Sequence, residues 1–110
     1  MRELKEIVAD IDKLNGEIQV LRDKQRDLYI ERNKRIQYDI EMKYQIKRGD
    51  LVELRTGKRF YYDCVKPYSD TLVWIYCRKS KKDGSPSRNS TSLMTESFKD
   101  CKVIGHAELP

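Results

Sequence analysis

The sequence is poor in the residues on which most catalytic sites depend. Among its 110 residues are one histidine, one tryptophan, three prolines and five glycines. A cysteine nucleophile would have a single possible base, His106, and no glycine-rich phosphate loop or nucleotide fingerprint occurs. These absences predict a protein that is not an enzyme and uses no cofactor.

Cysteine is also scarce, with an odd number of three, at Cys64, Cys77 and Cys101. Together with His106 these thiols could form a Cys3His set, but no C-x-x-C pair is present to hold two thiolates together. Cysteine is more often a small buried hydrophobic residue. We therefore expect core packing, no metal site and a reducing, cytoplasmic setting.

Long apolar runs are missing as well. The first ten residues, "MRELKEIVAD", carry charge every few positions where a signal peptide would have an apolar core, and the longest apolar run is "LVWIYC" at residues 72–77. That run is far too short for a membrane span. No membrane partner is predicted.

Charge is abundant but unevenly distributed. The chain has 23 Lys and Arg against 18 Asp and Glu, a formal net charge of +5. Residues 1–46 hold ten basic and ten acidic side chains, whereas residues 47–110 hold thirteen basic and eight acidic ones. The C-terminal part is therefore the one suited to a polyanion or to an acidic protein surface.

The N-terminal part has the apolar spacing of a coiled coil. Alternating intervals of three and four residues separate Leu4, Ile7, Ile11, Leu14, Ile18 and Leu21. The same register continues through Gln25 to Leu28. The sequence predicts a dimerising coiled-coil helix over residues 1–45, with a homodimer formed through residues 4–28. This pattern leaves open whether the two helices run parallel or antiparallel. Pairing with another protein, and a helical hairpin turning at Gly16, are the alternatives.

A second apolar stripe follows, at Tyr29, Ile36, Ile40 and Tyr44. Its spacing departs from the seven-residue repeat, as expected where a helix leaves a supercoil and packs on another unit. That unit is predicted to be the C-terminal domain of the same chain or of its partner.

From residue 46 the pattern changes to the alternation of β-strands. We expect Val52 and Leu54 on a buried face, then a strand with Phe60, Tyr62 and Cys64 on one side. The run "TLVWIYCRK" at 71–79 predicts the central strand, with Trp74 in the core. Asp83-Gly84 marks a hairpin tip. Two further strands, through "RNSTSLMTESF" and "CKVIGH", give an α+β fold in which residues 46–110 form a five-stranded antiparallel barrel.

The segments "KRGDLVEL" at 47–54 and "SFKDCKVI" at 97–104 carry a resemblance to a known fold. They are similar to the opening and closing strands of small Src-homology-type barrels, including the KOW and Tudor-like domains. The resemblance implies a small β-barrel with a binding function. The long basic hairpin tip and the missing glycine-rich KOW motif depart from that pattern.

Two basic clusters, with aromatic residues between them, provide the candidate binding residues. Flexible cations suit phosphate contacts, and exposed aromatic rings can stack on bases. The candidates are Arg55, Lys58, Arg59, Tyr61, Tyr68, Arg78, Lys79, Lys81, Lys82 and Arg88.

Two functions fit this composition. The first is a dimeric protein whose basic barrel contacts the nucleic-acid backbone, with avidity from two linked sites. The second is an adaptor or inhibitor, for example a phage-encoded regulator, that docks on an acidic face of a host protein.

Overall fold

The chain folds into one long helix followed by a five-stranded antiparallel sheet, as the computed structural model shows for residues 1–69 and 71–109. Asp70 and Pro110 lie outside the described residues, and Asp70 belongs to the predicted connection after the second strand. The elements are α1 (Leu4–Tyr44), β1 (Asp50–Glu53), β2 (Arg59–Pro67), β3 (Val73–Ser80), β4 (Pro86–Met94), a 3-10 turn (Thr95–Phe98) and β5 (Lys102–His106).

The sheet has the strand order β4-β3-β2-β1-β5. The predicted α+β class, the helix and the five antiparallel strands are thus confirmed. The sheet is not closed, because β4 and β5 lie at its two edges, so the predicted closure into a barrel is not observed.

Contacts divide the chain into two units, residues 1–32 and residues 33–110. The first unit is helix from Leu4 onward and contains no buried residue. Gly16 lies inside the uninterrupted helix, so the alternative of a hairpin turning there is wrong. One glycine costs about 1 kcal/mol relative to alanine, which a helix of this length tolerates.

The core of the second unit lies on one face of the sheet. Its buried members come from the segment after α1, from β1 and the turn that follows it, from β2 and β3, and from the 3-10 turn. They are Ile46, Val52, Leu54, Phe60, Tyr62, Val65, Ile75, Cys77 and Phe98. The predicted burial of Val52 and Leu54 is confirmed.

The last turns of α1 pack against this core. Ile36, Ile40 and Tyr44 contact it, as predicted for the second apolar stripe, and the unit that they cover is that of their own chain. The Tyr44 hydroxyl donates to the Thr95 carbonyl at 3.1 Å, and the ring of Tyr44 lies 6.0 Å from that of Phe98. Tyr29, the first residue of the predicted stripe, stays exposed.

A β-bulge in β2 changes which side chains of this strand face the core, compared with the prediction. The pairing with β3 shifts register between Tyr62 and Cys64, so that Tyr62 is opposite Cys77 while Cys64 is opposite Tyr76. One extra residue in a strand moves every later side chain to the other face. Val65, not Cys64, therefore joins Tyr62 in the core.

The middle of the sheet is β2, and the prediction that β3 is the central strand is wrong. In β3, Ile75 and Cys77 are buried, whereas Trp74 and Tyr76 are half-buried. Trp74 is not a member of the core, because it lies on the face of β3 opposite to Ile75.

Candidate nucleic-acid interface

Strand register brings the two basic clusters to one end of the sheet. Phe60 at the start of β2 is opposite Lys79 near the end of β3. Directly opposite residues of antiparallel strands lie about 4.5–5.5 Å apart. The turn between β1 and β2 and the tip between β3 and β4 are therefore neighbours.

Lys102, the first residue of β5, lies at the same end of the sheet. Glu53 at the end of β1 is opposite both Arg59 of β2 and Lys102 of β5. We call this end of the sheet the basic end; its cationic residues are Arg55, Lys58, Arg59, Lys79, Lys81, Lys82, Arg88 and Lys102.

The hairpin tip is a defined structure. The Lys81 amide donates to the Ser85 carbonyl at 2.7 Å, and the Gly84 amide donates to the Lys81 carbonyl at 2.9 Å. Gly84 has a φ of +87°, which glycine adopts without a side-chain clash. The hairpin predicted at Asp83-Gly84 is confirmed.

Tyr61 fastens this tip to β2. Its side chain is only 5% exposed, and its hydroxyl donates a hydrogen bond to the Gly84 carbonyl. The structure thus places Tyr61 among the buried residues, where its ring has no free face for a base. Its position orders the tip that carries Lys81 and Lys82.

Most cations of the basic end face solvent. Among the described residues, Lys58, Lys79, Lys81 and Lys82 are exposed and form no ion pair. Arg59 differs, since its Nε lies 3.0 Å from the Glu53 carboxylate.

Only two acidic side chains, Glu53 and Asp83, belong to residues 53–59, 79–88 and 102. Hydrogen bonds from the Ser85 hydroxyl and amide hold the pKa of Asp83 below its usual value. Asp83 therefore stays ionised and supports the turn. Against these two carboxylates stand eight cations, so the basic end carries a strong positive charge.

Arg78 has a structural setting. Its Nε lies 3.3 Å from one oxygen of Asp63, whose other oxygen lies 3.0 Å from the Nε of Arg48. The Arg78 side chain is 15% exposed. Sequence reasoning placed Arg78 with the surface cations, but it helps to neutralise the carboxylate at the β2 bulge.

Tyr68 lies at the other end of the sheet. It follows Pro67, which is opposite Val73 at the start of β3, and its side chain is 80% exposed. The nine residues of β2 separate it from the basic end by roughly 25 Å. The structure does not bring Tyr68 together with the lysines.

Sequence reasoning missed Lys102. Nothing in the local pattern of "DCKVIGH" marks this lysine as part of a cluster with Lys58 or Lys79. Its placement follows from the pairing of the first and last strands, β1 and β5.

The thiols show no sign of activation. Desolvation by burial raises the pKa of Cys64, Cys77 and Cys101. His106 directs its Nδ1 to the Asp50 carboxylate at 2.9 Å. Within residues 1–69 and 71–109, no three His, Cys, Asp or Glu side chains are grouped so as to hold a metal ion.

No protein-family model, curated protein or solved structure matches the chain. In the part of the chain that the structure describes, no helix has both the length and the apolar character that crossing a bilayer requires.

Proposed function

We propose that this chain is a non-enzymatic, dimeric binding protein whose basic end contacts the backbone of nucleic acids. The observation that carries the proposal is the strand register, which joins three separate basic segments at one end of the sheet. Exposed lysines on turns suit phosphate contacts, which need positive charge and little sequence precision.

The ordered tip adds to this argument. Because Tyr61 and the bonds between Lys81 and Ser85 fix the hairpin, its lysines are presented on a rigid turn and lose less backbone entropy on binding. Two such surfaces in a dimer gain avidity through effective concentration. The free thiols of the described chain agree with the reducing, cytoplasmic setting that belongs to this proposal.

A second candidate is docking on an acidic protein face. The observation in its favour is a set of exposed apolar side chains: Tyr68 at the end of the sheet opposite to the basic end, and Val103 and Ile104 on the edge strand β5. Interface energy is concentrated in such aromatic and apolar side chains. An adaptor or inhibitor, such as a phage-encoded regulator, would use them.

A salt titration with a matched pair of variants tests the first candidate. Lys79, Lys81 and Lys82 are replaced by alanine in one variant; Lys5, Lys13 and Lys34, three exposed lysines of α1, are replaced in the other. The probes are a mixed-sequence duplex and a single strand of equal length.

We expect wild-type affinity to fall steeply with salt. The first variant should weaken binding at least about tenfold on all sequences and lower the logarithmic salt slope by up to about 3, one unit for each lost phosphate contact. The α1 variant should stay close to wild type. Salt-independent binding, no binding, or equal losses in both variants would overturn the proposal. A loss on replacing Tyr68 by alanine, measured with a protein partner, would support the second candidate.

A further inference from the structure

The apolar stripe of the first unit is uncovered in the single chain. Its side chains are between 38% exposed at Ile7 and 76% exposed at Leu4, and none of them is buried. A lone helix with such a stripe is marginally stable in water. Covering the stripe with a partner would stabilise the helix.

We propose that the partner is a second copy of this chain, aligned parallel and in register in a two-stranded coiled coil over residues 4–28. This inference rests on the dimer of the proposed function and adds the orientation and the strand number. The a positions are Leu4, Ile11, Ile18 and Gln25, and the d positions are Ile7, Leu14, Leu21 and Leu28.

The choice of apolar residues favours two strands. After the first heptad, the β-branched Ile11 and Ile18 are at a, and the γ-branched Leu14, Leu21 and Leu28 are at d. Isoleucine at a with leucine at d is the combination that favours parallel dimers over trimers and tetramers. Gly16, at position f, faces away from the partner and leaves the interface unaffected.

Gln25 distinguishes the two orientations. It is exposed in the single chain, and its side chain makes no hydrogen bond to another described residue. In a parallel, in-register pair an a residue faces its own copy, so the two Gln25 amides can hydrogen-bond to each other. In an antiparallel pair over the same residues, Gln25 would face Ile7, and burying an unpaired amide is unfavourable.

Charge complementarity points the same way. In a parallel pair the g residue of one heptad faces the e residue of the partner's next heptad. Glu17 is at g and Arg22 is at the following e, so each dimer gains two symmetry-related ion pairs. Neither side chain forms an ion pair within the described single chain.

The antiparallel arrangement would create repulsion. Its g positions face g positions, so Glu17 would face its own copy and Glu3 would face Glu31. Attraction between Asp10 and Lys24 would offset only part of this. In the parallel pair no like charges meet at these positions.

Parallel pairing also affects binding. Residue 28 of both chains then lies at the same end of the coiled coil, and both C-terminal units follow from that end. Two basic ends can therefore engage one polyanion. In an antiparallel pair the two C-terminal units would follow from opposite ends of the coiled coil.

A charge-reversal cycle on the full chain tests the interface. Glu17→Lys and Arg22→Glu should each raise the dimer Kd about fivefold or more, since both symmetry-related pairs become repulsive. The double variant E17K/R22E should return to the wild-type Kd. In an antiparallel dimer neither single reversal would raise the Kd in this way, because Glu17 of one chain would not face Arg22 of the other and like charges already meet at position 17 in the wild type. Trp74 fluorescence checks that the sheet unit is folded in every variant.

Disulfide trapping reads the orientation directly. Leu4→Cys alone and Leu28→Cys alone should each form a crosslinked dimer, with wild type as the control for Cys64 and Cys101. Crosslinks joining position 4 to position 28 in a mixture of the two, or a trimeric, tetrameric or monomeric mass, would overturn the inference. A parallel dimer that does not bind nucleic acid would instead refute only the proposed function.

Discussion

At the scale of single residues, burial controls the chemistry of the sheet unit. Cys77 is fully buried, and desolvation, helped by the nearby charge of Asp63, raises its pKa to about 12. Burial also raises the pKa of Tyr62. These groups act as core side chains, and their protonation is linked to folding.

The linkage gives a prediction for alkaline pH. The folded pKa of Cys77 is above the unfolded value of 9.0, so the folded chain keeps a proton that the unfolded chain releases. The stability that this thiol contributes is complete below the unfolded pKa and is lost as pH rises toward the folded pKa. Above about pH 9 the free energy of unfolding should fall, with Cys77 contributing up to about 1.4 kcal/mol per pH unit.

Urea unfolding followed by Trp74 fluorescence at several alkaline pH values measures that slope. Cys77→Ala should reduce this slope by the equivalent of nearly one proton released on unfolding. A constant change in the free energy of unfolding caused by the substitution would not alter that result. Cys101→Ala, which removes a half-buried thiol of the same unit, should reduce it less. Parallel pH profiles for wild type and Cys77→Ala would contradict the assignment.

At the scale of elements, the turn between α1 and β1 is held by contacts with two strands. The Gly49 amide donates to the Tyr62 carbonyl of β2, and its carbonyl accepts from the Ala107 amide after β5, both at 2.9 Å. Asp50 is buried and bonds both the Lys47 amide and His106 at 2.9 Å. The turn thus fastens the helix end to the middle and to one edge of the sheet.

Gly49 is the residue of this turn that tolerates least change. Its φ is +95°, and a Cβ there would lie 2.3 Å from the Ala107 carbonyl oxygen. Gly49→Ala should lower the free energy of unfolding by about 3 kcal/mol or more through backbone strain and steric clash. Gly105→Ala is the matched control, because its Cβ would meet Leu51 at an ordinary 3.6 Å, and it should stay within about 1 kcal/mol. Equal effects in urea unfolding would show that the turn is not constrained as described.

Elements with strong local patterns were predictable from the sequence. The 3.6-residue periodicity identified α1 and the packing of Ile36 and Ile40, and Asp83-Gly84 identified the hairpin. These signals are short-range, since each depends on neighbours along the chain.

Features set by distant strands were not predictable. The bulge after Tyr62 is defined by the β3 partner, and the location of Lys102 depends on pairing between the first and last strands. Tyr61 was expected at the surface because a tyrosine beside cations resembles a stacking platform; only the tip folded against β2 reveals its burial. The sequence thus named the lysines of the first turn and of the tip as candidates, but it missed Lys102 and the contacts that support the tip.

At the scale of the whole molecule, the helix belongs to both units. The sequence predicted a domain boundary at residues 45 and 46, where the periodicity changes, but the contacts divide the chain after Arg32. Residues 33–44 complete the core: Ile36, Ile40 and Tyr44 cover it, and the Gln37 side-chain oxygen accepts from the Val65 amide at 3.2 Å.

Two fragments test which boundary defines the folding unit. Residues 33–110 keep the helical turns that cover the core, whereas residues 46–110 expose the surface that those turns bury. Losing three half-buried apolar side chains, at about 1 kcal/mol each, should make the shorter fragment less stable by about 3 kcal/mol, enough to unfold a small domain. Urea unfolding followed by Trp74 fluorescence, with the full chain as reference, measures the difference. We expect a cooperative transition in 33–110 and a weak or absent one in 46–110. Equal stability of the two fragments would instead place the boundary at residues 45 and 46, where the periodicity changes.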